Sequence, residues 1–164
     1  RSFSNRAWVS YLALERGLRA PDFEGIDQHG NNFHLYDFVG KKNIVLYFYP
    51  KDFTLGCTKE AIGFLRYLEH IINLDAIIVG VSTDSVESHK KFSDKHGIKY
   101  PLIADPDGEI ARKYDVLQIT KTGRKRALRT TYLIDKNGII QYVWKRIKVD
   151  RHPLEVLEKL ELLN

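Results

Sequence analysis

The residues best suited to chemistry lie in one short segment, Tyr49 to Glu60, which contains Pro50, Thr54 and Cys57. Cys57 is the single cysteine of the chain, and a cysteine thiolate is a strong nucleophile. Thr54 lies three residues earlier and offers a hydroxyl that can hold an oxygen-bearing substrate. Pro50 removes a backbone N–H and stiffens the start of the segment. Cys57 is therefore a candidate nucleophile, and the alternative is a small buried core residue.

The predicted elements around this segment explain why a thiol at this place would be reactive. The apolar, β-branched and aromatic run Asn43–Tyr49 predicts a buried strand, and the apolar spacing over residues 58–74 predicts a helix. Cys57 then falls in the first turn of the helix, beside unpaired backbone N–H groups and the positive end of the helix dipole. Both features stabilise a thiolate. The segment also follows the carboxyl end of a strand, where open α/β sheets bind ligands.

The rest of the chain continues this alternation of strands and helices. The pattern predicts, in order, a strand Ala76–Ser82, a helix Ser85–His96, a short helical stretch Asp105–Tyr114, a hairpin of Thr130–Asp135 with Ile139–Trp144, and a closing helix Pro153–Leu163. This order predicts an α/β fold with a central mixed β-sheet flanked by helices. It is compatible with a thioredoxin-like fold.

Composition excludes several classes of protein. The chain has 164 residues, of which 43% are hydrophobic and 29% charged, as expected for one globular domain rather than a disordered, collagen-like or coiled-coil chain. Its apolar runs have the length of strands and fall well short of the ~18 residues of a membrane span. A single cysteine excludes an intrachain disulfide and a Cys-rich zinc site. The histidines show no metal-ligand spacing, and His89 and His96 are expected on the exposed surface of their helix.

Positive charge is concentrated in one part of the chain. The formal net charge is +5, yet residues 121–151 contain ten lysines or arginines against only Asp135 and Asp150. The basic run Lys121–Arg126 is compatible with steering of anionic peroxides or acidic reductants, or with a nucleic-acid contact. It contains no interleaved aromatic residue, which disfavours a specific nucleic-acid site. A solvated loop is the simplest interpretation.

Residues 1–19 are interpreted as an N-terminal extension of a domain that covers residues 20–164. The extension has four arginines against Glu15, with a short apolar stretch Ala7–Leu14. This composition is compatible with the remnant of a targeting segment, a remnant of cloning or an amphipathic docking helix. We expect a cytoplasmic protein, with an organelle or the nucleus as the alternatives.

The segment around Cys57 resembles the active site of a known family. Pro50, Thr54 and Cys57 form P-x-x-x-T-x-x-C, which matches the active-site motif of peroxiredoxins. The strings APDFEG at 20–25, YFYPKDFTLGCTKEAIGF at 47–64 and TTYLIDKNG at 130–138 resemble the peroxiredoxin Q, or bacterioferritin-comigratory, subgroup. The resemblance extends over residues 20–164.

The resemblance implies thiol-dependent reduction of hydrogen peroxide and organic hydroperoxides on a thioredoxin-like fold, without a metal or a prosthetic group. Cys57 would attack the peroxide and become a sulfenic acid. Thr54 would hold the peroxide, Pro50 would shape the pocket and Arg129 would stabilise the thiolate and the developing negative charge. Glu60, one helical turn beyond Cys57, is expected either to orient an arginine or to act as a simple first-turn charge.

Two positions depart from the pattern of the subgroup. Leu55 stands where proline is usual, which predicts a more mobile loop with retained activity. Ile62 stands where many members carry a resolving cysteine, and the chain has no other cysteine. The resemblance therefore implies a one-cysteine enzyme, whose sulfenic acid is reduced by an external thiol such as glutathione, a glutaredoxin or a thioredoxin. Because monomers are common in the subgroup, we expect a monomer.

Two other functions stay open at this point. The basic stretch 121–151 is compatible with a nucleic-acid- or chromatin-associated protein in which Cys57 is regulatory. Steep salt dependence of duplex binding would favour that function. The missing resolving cysteine is also compatible with a redox sensor that oxidises stoichiometrically and turns over slowly.

Overall fold

Residues 12–164 are described by a computed structural model. The strands in this part of the chain are β1 Glu24–Ile26, β2 Asn32–His34, β3 Asn43–Phe48, β4 Ala76–Ser82, β5 Leu102–Ala104, β6 Leu117–Ile119, β7 Lys125–Ala127, β8 Thr130–Ile134 and β9 Ile140–Trp144. The helices are α1 Leu55–Arg66, α2 Leu68–Asn73, α3 Val86–His96, α4 Glu109–Lys113 and α5 His152–Leu163.

The strands form one mixed sheet and a separate ribbon. The sheet has the order β2-β1-β5-β4-β3-β8-β9, and β6 pairs with β7 in a two-stranded ribbon. Strands β3, β4 and β5 are parallel, whereas β8 is antiparallel to β3 and β9 is antiparallel to β8. The predicted α/β class with a central mixed sheet is therefore confirmed.

Both faces of the central strand β3 are buried. Side chains alternate between the faces of a strand, so Ile44 and Leu46 join one core cluster while Val45 and Tyr47 join the other. Helices α1, α2, α3 and α5 contribute to the second cluster, and α4 covers the first. Two covered faces explain why β3 is a continuous run of apolar and aromatic residues from Ile44 to Phe48 rather than an alternating strand.

The helix predicted over residues 58–74 is two helices. Helix α1 already begins at Leu55, and Tyr67, with φ −102° and ψ 10°, separates it from α2. The earlier start leaves Cys57 in the first turn, as predicted. The start and end predicted for α3 are also confirmed, because Ser85 accepts a hydrogen bond from the Ser88 N–H at 3.0 Å and Gly97 is left-handed with φ 68°.

Part of the sequence assigned to the extension packs against the sheet. The Gly17 N–H donates to the Ile140 carbonyl at 2.8 Å, the Ile140 N–H donates to the Leu18 carbonyl at 2.9 Å, and Ala13 is buried. These contacts cover the outer edge of β9. Residues 1–11, which include most of the predicted apolar stretch, lie outside the described residues. Among residues 12–164, no helix combines the length and the apolar character needed to cross a membrane.

Candidate active site

The nucleophile candidate lies where β3 leaves the sheet and α1 begins. Thr54 is the N-cap residue of α1 with an extended backbone, and Cys57 is the third helical residue. Cys57 is 1% exposed, so it lies beneath the protein surface at the first turn of the helix. The backbone N–H groups of this turn have no partner within the helix. Cys57 therefore lies beside backbone N–H donors and the positive end of the helix dipole.

Arg129 reaches Cys57 from a different part of the sheet. It lies between β7 and β8, and the register that pairs Thr130 with Phe48 brings it beside the end of β3. Its Nη2 donates to Cys57 Sγ at 3.2 Å. Gly56 leaves room for this approach, because a Cβ atom at that position would lie 3.3 Å from Nη2, which is a tight contact.

The other arm of the Arg129 guanidinium binds Glu60. Nη1 donates to Glu60 Oε1 at 2.6 Å, and Glu60 is fully buried on α1. Burial raises the pKa of Glu60 to about 7, although the charge of Arg129 opposes this shift. Within residues 12–164, Oε2 of Glu60 has no hydrogen-bond partner. Arg129 is thus held between a buried carboxyl group and the thiol.

Thr54 and Pro50 lie on the open side of the site. The Thr54 hydroxyl donates to the Lys51 carbonyl at 3.0 Å, and its own carbonyl accepts from the Thr58 N–H at 2.9 Å. Both Thr54 and Pro50 line a cavity of about 340 Å³, across from residues of the β6–β7 ribbon. The structure therefore places one predicted group, Pro50 and Thr54, at the cavity, and a second group, Cys57, Glu60 and Arg129, beneath the helix start.

The two positions that depart from the subgroup both lie on α1. Leu55 is its first residue and is 74% exposed. Proline is well suited to this position, since the first helical N–H has no intrahelical partner. Ile62 lies half-buried on the same helix, five residues beyond Cys57.

A buried polar network that the sequence did not indicate anchors the loop before α1. Asp52 Oδ1 accepts from the Tyr49 hydroxyl at 2.7 Å, and Oδ2 accepts from the Ser88 hydroxyl at 2.8 Å and lies 2.7 Å from His89 Nδ1. The prediction that His89 is exposed is wrong, because it is fully buried. The burial of His89 could have been inferred from the sequence, because the large apolar residue Phe92 lies three residues later on the same face of the helix.

This network does not have the free donor atoms of a metal site. Asp52, Asp84 and His89 each offer a ligand atom within 4.8 Å of the others. However, both oxygens of Asp52 already accept hydrogen bonds, and His89 Nε2 lies 3.1 Å from the Ile103 carbonyl. The arrangement is a hydrogen-bonded anchor for the loop that carries Thr54.

Comparison with known proteins places this geometry in a family. Residues 17–143 match the AhpC/TSA family. The chain is 42% identical to peroxiredoxin Bcp of Bacillus subtilis (strain 168) over 153 residues, which cover 92% of this chain and 97% of that protein. It is 36% identical to the chloroplastic peroxiredoxin Q of Gentiana triflora, covering 98% of this chain and 72% of that protein. The crystal structure of peroxidoxin BcpB from Mycobacterium tuberculosis is similar with a TM-score of 0.87 and 31% identity, covering 92% of this chain and 99% of that one.

The chain therefore belongs to the AhpC/TSA family and has the thioredoxin-like fold of the peroxiredoxins. Proteins of this kind are thiol-dependent peroxidases, which act on hydroperoxides with a thiol reductant and use no prosthetic group. Within the family the chain belongs to the peroxiredoxin Q and Bcp group, and its single cysteine fits the one-cysteine variant. The resemblance drawn from the motif around Cys57 is thus confirmed.

Proposed function

We propose that the chain reduces hydrogen peroxide and organic hydroperoxides through a sulfenic acid on Cys57, which an external thiol then reduces. The observation that carries this proposal is the 3.2 Å contact of Arg129 Nη2 with Cys57 Sγ in the first turn of α1. A cation and a helix N-terminus on the same sulfur favour a thiolate. The bacterioferritin comigratory protein of Xanthomonas campestris, 34% identical over 85% of this chain, is described with alkyl peroxide reduction activity, which supports organic substrates.

In the first step the Cys57 thiolate attacks the terminal oxygen of the hydroperoxide. An S–O bond forms, the O–O bond breaks, and the leaving alkoxide or hydroxide takes up a proton to become alcohol or water. Sulfur is oxidised and the peroxide is reduced. Negative charge moves from sulfur to the leaving oxygen, so a guanidinium beside both atoms lowers the barrier. We assign this role to Arg129.

The remaining site residues act on the position of the substrate and of Arg129. The Thr54 hydroxyl lies at the cavity and is able to turn from the Lys51 carbonyl to the peroxide. Pro50 has no N–H to offer to water and fixes the wall of the cavity. Glu60 holds the guanidinium plane through its 2.6 Å contact and is a positioning residue.

The second step needs a thiol from outside the chain, because the sequence offers no second cysteine. One external thiol condenses with the sulfenic acid to give a mixed disulfide and water. A second thiol attacks that disulfide, which releases the Cys57 thiol and an oxidised disulfide. We propose that the enzyme works as a monomer, since this cycle requires no second subunit.

Intact-mass analysis after one equivalent of hydrogen peroxide, with dimedone present, tests the proposal. We expect rapid and complete formation of the dimedone adduct in the wild type and none in Cys57→Ser. An intact thiol in the wild type would contradict the proposal. Multiple turnovers with excess glutathione would then separate an enzyme from a stoichiometric sensor, for which only one equivalent of peroxide would be consumed.

A further inference from the structure

A basic groove adjoins the active site on the side of Thr54. We use this name for the cavity of about 340 Å³ between the active-site loop and the β6–β7 ribbon. Pro50 and Thr54 line one wall, while Arg124 and Arg126 line the other. A volume of this size falls within the range of small-molecule sites.

The walls of the basic groove are fixed to each other before any ligand binds. The Thr83 hydroxyl donates to the Lys125 carbonyl at 3.0 Å, which ties the ribbon to the end of β4. On the other wall, Asp84 Oδ2 accepts from the Asp52 N–H at 2.8 Å and from the Ser82 hydroxyl at 2.6 Å. A preformed groove loses little conformational entropy when it binds a ligand.

The charges in the groove are four cations and one carboxylate. The cations are Lys51, Arg124, Lys125 and Arg126, and the carboxylate is Asp84. The partners of two of these cations are neutral, since Lys125 Nζ donates to the Asp107 carbonyl and Arg126 Nε donates to the Gln118 side-chain oxygen. These hydrogen bonds orient the cations without neutralising them. The groove therefore matches a ligand with more than one carboxylate and one ammonium group.

We propose that the basic groove binds a small zwitterionic thiol with two carboxylates and one ammonium, of which glutathione is an example, and that this thiol reduces the Cys57 sulfenic acid. The proposal rests on the proposed function, because it supplies the external thiol of the second step. Thr54 connects the basic groove with Cys57. It lines the groove, and it is the N-cap residue of the helical turn that bears Cys57. Cys57 follows Thr54 by three residues, and three helical residues advance only about 4.5 Å along the helix axis. Cys57 is therefore close to the edge of the groove.

The volume of the groove indicates the size of the partner. A cavity of about 340 Å³ admits a tripeptide-sized thiol but not a folded protein. Duplex nucleic acid is a different partner for the same cations, but its phosphates offer no ammonium group to pair with Asp84.

The reduction step of wild-type and variant protein tests this proposal. Protein oxidised with one equivalent of hydrogen peroxide is mixed with glutathione or with glutathione diethyl ester, and the mixed disulfide is followed by quenched intact-mass analysis. The ester keeps the thiol and the ammonium but lacks both carboxylate charges. For the double variant Arg124→Glu with Arg126→Glu, we expect glutathione to react about tenfold or more slowly, in line with electrostatic steering. The rate with the ester should fall by less than about threefold in the same variant.

The matched control is Lys41→Glu with Lys99→Glu, which makes the same change in charge. Both lysines are exposed and precede the parallel strands β3 and β5, at the opposite end of the sheet from Cys57. We expect this control to change the glutathione rate by less than about twofold. The salt dependence of the wild-type protein is a test that involves no substitution. Raising the salt concentration from about 50 mM to about 500 mM should slow the reaction with glutathione and leave the rate with the ester nearly unchanged.

Three results would overturn the proposal. The first is an equal response of glutathione and its ester to the Arg124 and Arg126 substitutions. The second is an equal loss of rate in the Lys41 and Lys99 control. The third is loss of duplex DNA binding in the Arg124 and Arg126 variant with an unchanged glutathione rate, which would assign the groove to nucleic acid. Failure of the proposed function is distinguishable, because hydrogen peroxide would then leave the wild-type thiol unoxidised.

Discussion

Arg129 Nη2 lies 3.2 Å from Cys57 Sγ although 72 residues separate them in the sequence. The antiparallel pairing of β8 with β3 creates this contact, because it brings the residue before β8 to the place where β3 leads into α1. The second arm of the same guanidinium is held by Glu60 at 2.6 Å. The orientation of the cation is therefore set by the helix that also carries the thiol.

The first prediction concerns the geometry of this cation. Arg129→Lys keeps the positive charge but has no planar fork that can reach Cys57 and Glu60 together. Hydrogen bonds to charged groups are worth about 1.5–3 kcal/mol. We therefore expect the rate of Cys57 oxidation by hydrogen peroxide to fall about 10- to 100-fold. Rapid-quench trapping of the sulfenic acid with dimedone measures this rate.

Arg112→Lys is the control for this substitution. Arg112 is exposed on α4 and pairs with Glu109 at 2.8 Å on the surface, away from the thiol. We expect the rate of Cys57 oxidation in Arg112→Lys to stay within about twofold of the wild-type rate, as for other surface substitutions. Wild-type oxidation rates in Arg129→Lys would show that charge alone, without the fork, supports the reaction.

The second prediction is a pH dependence of stability that comes from Glu60. Its pKa is raised from 4.5 to about 7 by burial, against the effect of Arg129. Between these two values the folded state holds a proton that the unfolded state has released, so stability decreases as pH rises. We expect the free energy of unfolding of Cys57→Ser to fall over this range, relative to Cys57→Ser with Glu60→Gln. Above about pH 7 the difference should become constant.

Urea unfolding at a series of pH values measures this difference. The Cys57→Ser background removes the thiol, so only the Glu60 carboxyl distinguishes the two proteins. Because all other titrating groups are shared, their contributions cancel to first order. A difference that grows in favour of the Glu60 protein as pH rises would contradict the prediction, since it would mean that Arg129 outweighs burial.

Local patterns predicted the position of Cys57 at the start of its helix, whereas they did not predict contacts between residues distant in the sequence. The run Asn43–Tyr49 and the helical spacing after it are continuous signals, so Cys57 was correctly placed in the first turn. The position of Arg129 beside the thiol depends on the β3–β8 register, which no local pattern encodes, and only the family resemblance pointed to it. The β6–β7 ribbon was not predicted, because strands of three residues are too short to show a period.

His89 shows why a polar residue on a helix can mislead. It was predicted, together with His96, on the exposed surface of its helix. In the structure it lies on the buried face of α3 with Phe92, and its partner Asp52 comes from a loop 37 residues earlier. Burial of such a pair is possible only because each polar atom finds an acceptor or donor.

The third prediction concerns this buried pair. His89 Nδ1 lies 2.7 Å from Asp52 and Nε2 lies 3.1 Å from the Ile103 carbonyl, so both ring nitrogens face acceptors. Asp52→Asn replaces one of the two acceptor oxygens by an amide donor, which would face the groups that now contact Asp52. We expect a loss of about 1–3 kcal/mol in the free energy of unfolding, as for other buried polar groups left without a partner.

Asp94→Asn provides the matched control for the same chemical change. Asp94 pairs with Lys90 at 2.8 Å on the exposed face of α3. Loss of this surface pair should lower the free energy of unfolding by no more than about 0.5 kcal/mol. Equal stability losses for Asp52→Asn and Asp94→Asn in urea would show that the buried network contributes no more than a surface pair.

The last prediction restores a second cysteine at the position where the subgroup often has one. Cys57 and Ile62 are five residues apart on α1, a separation that corresponds to about 8–9 Å between Cα atoms in a regular helix. A disulfide requires about 4.4–6.8 Å. A bond between Cys57 and a cysteine introduced by Ile62→Cys therefore forms only if the first turns of α1 open after Cys57 is oxidised.

We expect Ile62→Cys, treated with one equivalent of hydrogen peroxide, to form this intramolecular disulfide and to lose most of its dimedone adduct. Intact mass distinguishes the two products, and circular dichroism should report a loss of helix on oxidation. Arg66→Cys is the matched control, since it lies on the same helix about 13–14 Å along the axis from Cys57. It should keep the adduct. If Ile62→Cys also kept the full dimedone adduct, α1 would have to stay folded after oxidation. Reduction of Cys57 would then proceed at the intact start of the helix, where only a small thiol has room.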